Sequence, residues 1–186
     1  NAVGTSIAIK GPPGTGKTTL IKDGISKILN RPFAMIALGG CGDSGFLDGH
    51  DYTYEGSKYG KIIDILIKCQ CMNPVILFDE LDKLSDSSRG QEITGVLTHL
   101  TDTTQNSNYC DKYMSEINLD MSKALYIFSY NDENNVNTIL KDRMYKIETK
   151  GYKISDKLII AKQYLLPKII KEIKFDNDSI IIDDNI

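Results

Sequence analysis

Residues 9–19, Ile-Lys-Gly-Pro-Pro-Gly-Thr-Gly-Lys-Thr-Thr, hold the densest chemistry in the chain. Gly11, Gly16, Lys17 and Thr18 satisfy the spacing G-x-x-x-x-G-K-[ST]. Glycine is needed there because backbone N–H groups can surround a polyphosphate only where no Cβ blocks their approach and positive φ costs little. Pro12, Pro13, Gly14 and Thr15 complete the loop, and Thr19 continues into the helix that follows. Lys17 then supplies a point charge to the outer phosphates, Thr18 a hydroxyl to Mg²⁺, and the helix N-terminus a partial positive charge. The chemistry implied is binding of a nucleoside triphosphate with Mg²⁺.

Three further positions turn a binding loop into a reactive one. Val75-Ile76-Leu77-Phe78-Asp79-Glu80 is an apolar run that delivers two carboxylates to its end. Asp79 is placed to hold Mg²⁺ together with Thr18, partly through water, because Mg²⁺ gives up its hydration shell reluctantly. Glu80, one residue on, is placed to orient or deprotonate an attacking water. Asn131 closes the apolar run 124–130 and could hydrogen-bond the γ-phosphate or that water; an Asn-Asp pair is also a common turn start. Arg143, in Leu-Lys-Asp-Arg-Met, is either an ordinary surface charge or a guanidinium that reaches a neighbouring subunit's phosphates, an effect on rate of ~10³–10⁵.

The elements that must position these residues can be read from periodicity. Strand-like runs at 6–9, 33–38, 75–78, 124–128 and 144–147 alternate with helical patterns. Ile21, Ile25, Ile28 and Leu29 predict a helix after the loop; Ile62, Ile63, Leu66 and Ile67 predict another; Ile93, Val96, Leu97 and Leu100 a third; and 135–140 a short one. Such alternation implies an α/β fold: a parallel, doubly wound sheet of about five strands with helices on both faces and the phosphate loop at its carboxyl edge. From 155 to 171 the pattern is helical, with an interruption expected at Pro167. The expected division is residues 1–152 for the nucleotide-binding subdomain and 153–186 for the start of a helical lid. The stretch 39–60 is the least regular part, yet Tyr52, Tyr54 and Tyr59 give it the aromatic content of a functional loop.

A formal net charge of −3 supplies no overall basic field, which removes the electrostatic footprint of a dedicated nucleic-acid binder. Cys41, Cys69, Cys71 and Cys110 form no paired C-x-x-C hooks and read as reduced thiols rather than metal ligands. No run approaches the ~18 apolar residues of a membrane span, and nothing near Asn1 reads as a signal peptide. The expected location is the cytoplasm, with a mitochondrial matrix or another interior aqueous compartment as the alternative. The two ends of the sequence lead us to expect a piece of a longer protein.

With these sites in order the sequence resembles an AAA+ ATPase, and more closely the ATPase module of the Lon protease family. Supporting stretches are Ala37-Leu38-Gly39-Gly40, Gly49-His50, Asn73-Pro74-Val75, Asp79-Glu80-Leu81-Asp82-Lys83-Leu84, Asp120-Met121-Ser122-Lys123, Leu140-Lys141-Asp142-Arg143-Met144 and Tyr164-Leu165-Leu166-Pro167-Lys168. The resemblance implies an AAA+ P-loop NTPase: Lys17 and Thr18 as the Walker A pair, Asp79 and Glu80 as Walker B, Asn131 as sensor 1, and Arg143 as an arginine finger acting in trans. Tyr54 falls at the aromatic position of the pore loop that grips a polypeptide. The partners so implied are further copies in a ring, expected to be a hexamer, and polypeptide substrates.

The sequence departs from Lon at Glu55, where Lon has an aliphatic residue, and at Gln91-Glu92, where Lon has Asp-Pro after the Arg-Gly pair. The resemblance places the sensor 2 arginine further into the lid than Ile186, and whether a Ser-Lys protease domain follows is left open by the sequence. The reading is a motor that moves polypeptides; the alternative is a non-proteolytic remodeller of protein or nucleic-acid complexes. A nucleotide-gated scaffold is a third class, disfavoured because a pure switch needs neither Glu80 nor Arg143.

Overall fold

A strand covered on both faces has no reason to alternate apolar with polar residues, and the inner strands of the sheet, unlike its two edge strands, are of this kind. The strands along the chain are β1 (Ser6–Lys10), β2 (Phe33–Ala37), β3 (Val75–Asp79), a short antiparallel pair β4 (Tyr109–Cys110) and β5 (Asn118–Leu119), then β6 (Leu125–Tyr130) and β7 (Tyr145–Glu148). The computed structural model describes residues 6–53, 55–84 and 87–173. Five of the strands form one parallel sheet in the order β2-β3-β6-β1-β7. The chain divides into two units, which part between Thr149 and Lys150.

Helices connect the strands of the first unit. The first, α1, runs through the abutting segments Lys17–Thr19, Leu20–Ile25 and Ser26–Ile28; α2 (Gly45–Asp48), α3 (Lys61–Cys69), α4 (Ser88–Thr101) and α5 (Thr138–Asp142) follow. The sheet's two faces divide the core. Ile76, Phe78, Tyr126 and Phe128 point to one side and pack with Ile62, Ile63, Leu66, Ile93, Leu97 and Leu100 of α3 and α4. Val75, Leu77 and Ile127 point to the other and meet Ile9 and Ile21. Phe78 stacks on Phe128 with ring centres 5.0 Å apart.

Three local expectations are corrected. Ile28 and Leu29 are 84% and 44% exposed rather than part of a buried face. The cause is the π-type hydrogen bonding of Leu20–Ile25, which inserts extra turn length and rotates the residues after it away from the sheet. The 135–140 helix is instead a 3₁₀ turn, Glu133–Asn135, followed by α5, whose start is capped by Asn137. Pro167 causes no interruption. In the second unit, Ile154–Ile160, Ala161–Leu165 and Leu166–Ile173 abut, and Pro167 lies in the first turn of the last segment, directly after a π-type stretch. Altered hydrogen bonding just before it removes the need for the N–H that proline lacks.

The stretch 39–60 is more ordered than its composition suggests. Gly60 donates its N–H to the fully buried Asp111 carboxylate at 2.8 Å, and His50 N–H reaches Lys58 O at 3.3 Å, so the end of the stretch is tied down and its second half is closed on itself. Tyr54 itself lies outside the described residues. No described helix is long and apolar enough to cross a membrane.

Candidate nucleotide site

The strand register brings the chemistry to one rim. Lys10 pairs with Tyr130 on one side and Glu148 on the other, and Asp79 pairs with Ala37, so the ends of β1, β3, β6 and β7 form one carboxyl edge. The chain leaves β1 for β2 on one flank and reaches β7 on the opposite flank of β1, which makes the end of β1 a topological switch point.

The loop after β1 has the backbone that an anion cradle requires. Gly14 and Gly16 adopt positive φ, 76° and 75°, and a Cβ on Gly14 would meet nothing within 4 Å. Gly11 is constrained differently. A Cβ there would overlap the Thr149 hydroxyl and lie 2.8 Å from the Thr149 carbonyl, because Thr149 folds over the loop and donates its N–H to Lys10 O at 2.7 Å. The Thr15 hydroxyl bonds Pro12 O at 3.0 Å and closes the loop on itself. Pro12 and Pro13 are exposed, Thr18 is half-buried in the first helical turn beside Lys17, and Thr19 is exposed. This is a surface cradle of N–H donors rather than a cavity. A cavity of about 640 Å³ lies elsewhere, against Phe46, His50, Tyr59 and Lys61.

Lys17 ties the loop to the neighbouring strand. Its ammonium donates to Gly11 O at 2.5 Å, Pro12 O at 3.3 Å and Asn131 Oδ1 at 2.8 Å. Partial burial pushes its pKa down, and the Asp79 and Asp82 carboxylates oppose that shift. Lys17 and Asn131 are therefore brought into direct contact across 114 positions of sequence.

Asp79 and Glu80 stand at the end of β3 in two different settings. Asp79 Oδ1 accepts from the Ser129 hydroxyl and, at 3.1 Å, from the Glu80 N–H. Both bonds fall on Oδ1, which fixes the carboxylate and leaves Oδ2 to serve a cation or its water. Glu80 takes a left-handed conformation, φ 61°, and its side chain is exposed. Its Oε2 would be 2.6 Å from a Cβ on Gly39, so glycine at 39 is what makes room for the carboxylate. Among the described residues no group of three or more His, Cys, Asp or Glu is placed to hold a metal unaided. A Mg²⁺ with Thr18, Asp79, waters and phosphate oxygens as ligands needs no such group.

The pattern of motifs missed the residues that hold these side chains in place. Ser129 orients Asp79. Asp82 Oδ2 accepts the N–H groups of Asn131 and Asp132 at 3.2 and 3.0 Å and so fixes the turn carrying Asn131. Lys10, Lys146, Glu133 and Glu148 form an ion-pair network between β1, β7 and the turn after β6. Arg143 is not part of this rim: its Nη1 is 2.9 Å from Asp102 Oδ2 at the end of α4.

Comparison with known proteins agrees in extent with this geometry. Residues 7–152 match the model of the ATPase family associated with various cellular activities (AAA). Similar proteins include a Lon protease homolog of Acanthamoeba polyphaga mimivirus, 41% identical over 98% of this chain and 18% of that protein. The Lon protease of Clostridioides difficile (strain 630) is 45% identical over 97% of this chain and 23% of its own length. A mitochondrial Lon protease homolog of Candida glabrata is 39% identical over 97% of this chain and 17% of its own length. The chain thus spans a quarter or less of the relatives it matches.

Proposed function

We propose, from the fact that this chain belongs to the AAA family of ATPases, that it is the ATP-hydrolysing motor module of a Lon-like ATP-dependent protease. The observation that carries the reading is the Lys17–Asn131 contact at 2.8 Å, which joins the phosphate loop to the end of β6 within reach of Asp79 and its Ser129 support.

The backbone donors around Gly14 and Gly16 bind the phosphates, and Lys17 exchanges its loop carbonyls for the outer phosphate oxygens. Thr18 and Asp79 are the residues that would hold Mg²⁺, which supplies charge neutralisation on the phosphates when bound. Glu80, exposed beside the loop, takes the proton of the attacking water, and Asn131 orients that water or the γ-phosphate. Arg143 of a neighbouring copy offsets charge on the transferring group, so hydrolysis is completed between subunits of a ring, which we take to be a hexamer.

Hydrolysis then drives the loop carrying Tyr54 against a polypeptide, in the cytoplasm or an organelle matrix. The names of the relatives support this use, and proteolysis follows only if a Ser-Lys protease domain accompanies this module. In the full-length protein Glu80→Gln should bind ATP normally and lose ~10²–10⁴-fold in turnover, as expected for removal of a general base. Single-turnover hydrolysis at the wild-type rate would remove Glu80 from that role. Stimulation of turnover by unfolded protein and not by DNA separates the motor reading from a nucleic-acid remodeller.

A further inference from the structure

Arg143 closes α5, a helix of five residues, and its side chain is 32% exposed. What holds it is Asp102, the residue that ends α4. Asp102 continues that helix with its own N–H, 3.0 Å from Thr98 O, so the carboxylate rides on a 14-residue helix anchored in the core by Ile93, Leu97 and Leu100. Its two oxygens have separate tasks. Oδ1 accepts from the Thr104 N–H at 2.9 Å and the Thr104 hydroxyl at 2.7 Å, which fixes the side-chain rotamer. Oδ2 faces Arg143 Nη1 at 2.9 Å.

A carboxylate pinned by its own turn presents a fixed direction to its partner. Arginine has five N–H donors in a rigid fork. Anchoring one nitrogen orients the fork and leaves donors for an anion. Thr104 first, then Arg143, hold the Asp102 carboxyl down to about 2, so it stays charged wherever an ATPase works.

We propose that Asp102, set by Thr104, is a positioning residue for Arg143: it orients the guanidinium for the phosphates of a nucleotide bound to a neighbouring copy. The inference rests on the trans-acting role of Arg143 proposed above and adds the residue that aims it. An arginine free to sample solvent would be correctly placed only part of the time, and misplacement by ~1 Å can cost ~10²-fold.

The test is ATP turnover by the full-length oligomer, with sedimentation to monitor assembly. Arg143→Ala should lower kcat ~10³-fold or more. Asp102→Asn should lower kcat by ~10–100-fold with KM for ATP within about twofold of wild type. The double variant should be no slower than Arg143→Ala alone, since a residue that acts only through Arg143 has nothing left to aim. Thr104→Val, an exposed change that keeps side-chain shape, should move kcat in the same direction by a smaller factor and serves if Asp102→Asn fails to assemble.

Wild-type kcat in Asp102→Asn and Thr104→Val alongside a crippled Arg143→Ala would overturn this inference and leave the arginine's role standing. Losses that multiply in the double variant would also overturn it, by assigning Asp102 a separate structural task. Wild-type turnover in Arg143→Ala would remove the trans role itself.

Discussion

The rim at the end of β1 and the corner at the end of α4 use charge in opposite ways. At the rim, the Lys17 ammonium donates to two backbone carbonyls and to Asn131 Oδ1, and Asp79 is held by a serine hydroxyl and a backbone N–H. At the corner, Arg143 is held by a single carboxylate whose other oxygen is occupied by Thr104. The rim gathers its phosphate-loop and carboxylate residues within one chain. On the proposed reading, the corner is an aimed cation that acts only when a second copy supplies the phosphate. Proximity in the fold defines the first region, and the proposed orientation toward a neighbour defines the second.

The rim is broken most severely at Gly11. Replacement by alanine drives a Cβ into Thr149 Oγ1 and to 2.8 Å from the Thr149 carbonyl. The expected cost is about 1–3 kcal/mol by analogy with overpacking, read as a lower thermal midpoint together with weaker nucleotide binding. Adding Thr149→Ala should restore only part of the loss, since the carbonyl clash survives. Full recovery would mean that the close approach at Gly11 is made by the side chain alone. The same nucleotide-affinity measurement on Asp102→Asn should change little.

The smallest effect is expected from the ion pairs that border the rim. Lys10 and Lys146 hold the Glu133 carboxyl down to about 2. Its folded pKa lies below the unfolded value of about 4.3, so its contribution is complete above about pH 5 and is lost as pH falls toward 2. Between pH 6 and 8 the thermal midpoint of Glu133→Gln should sit a small, constant distance below wild type, converging with it on acidification. A gap that widened as pH fell would contradict the assigned ion pairs. Exposed pairs of this kind rarely contribute more than ~1 kcal/mol, which separates a decorated rim from a working one.

Much of this division was legible in sequence, and the boundary of legibility has a physical cause. Lys17, Asp79, Glu80 and Asn131 stand at the ends of apolar runs, and β1, β3 and β6 are buried on both faces, so uninterrupted hydrophobicity located both strands and rim. Ser129 and Asp102 gave no signal, and Asp82 stood in a motif stretch without a role. Ser129 meets Asp79 across 50 positions, Asp82 meets Asn131 across 49, and Asp102 at the end of α4 meets Arg143 at the end of α5. Their residue types are common in loops and helix ends, and only the folded chain, through the parallel register of β3 and β6 for the first two, makes them neighbours.

Local conformation hid the rest. The β4–β5 hairpin has two residues in each strand, too few for any periodicity to register. The π-type stretch in α1 turned an apparent apolar stripe outward at Ile28. Pro167 predicts a break because its missing N–H matters in an α-helix, and it matters less after the π-type segment Ala161–Leu165.

The central claim, that hydrolysis needs the rim of one copy and the corner of another, is tested most directly by subunit mixing. Full-length Lys17→Ala and full-length Arg143→Ala should each be inactive alone. Co-assembled, an Arg143→Ala subunit keeps an intact phosphate loop, and an adjoining Lys17→Ala subunit supplies the guanidinium. The account predicts ATP turnover well above the sum of the separate samples. Mixed oligomers that form, by sedimentation, and show no more turnover than that sum would contradict it.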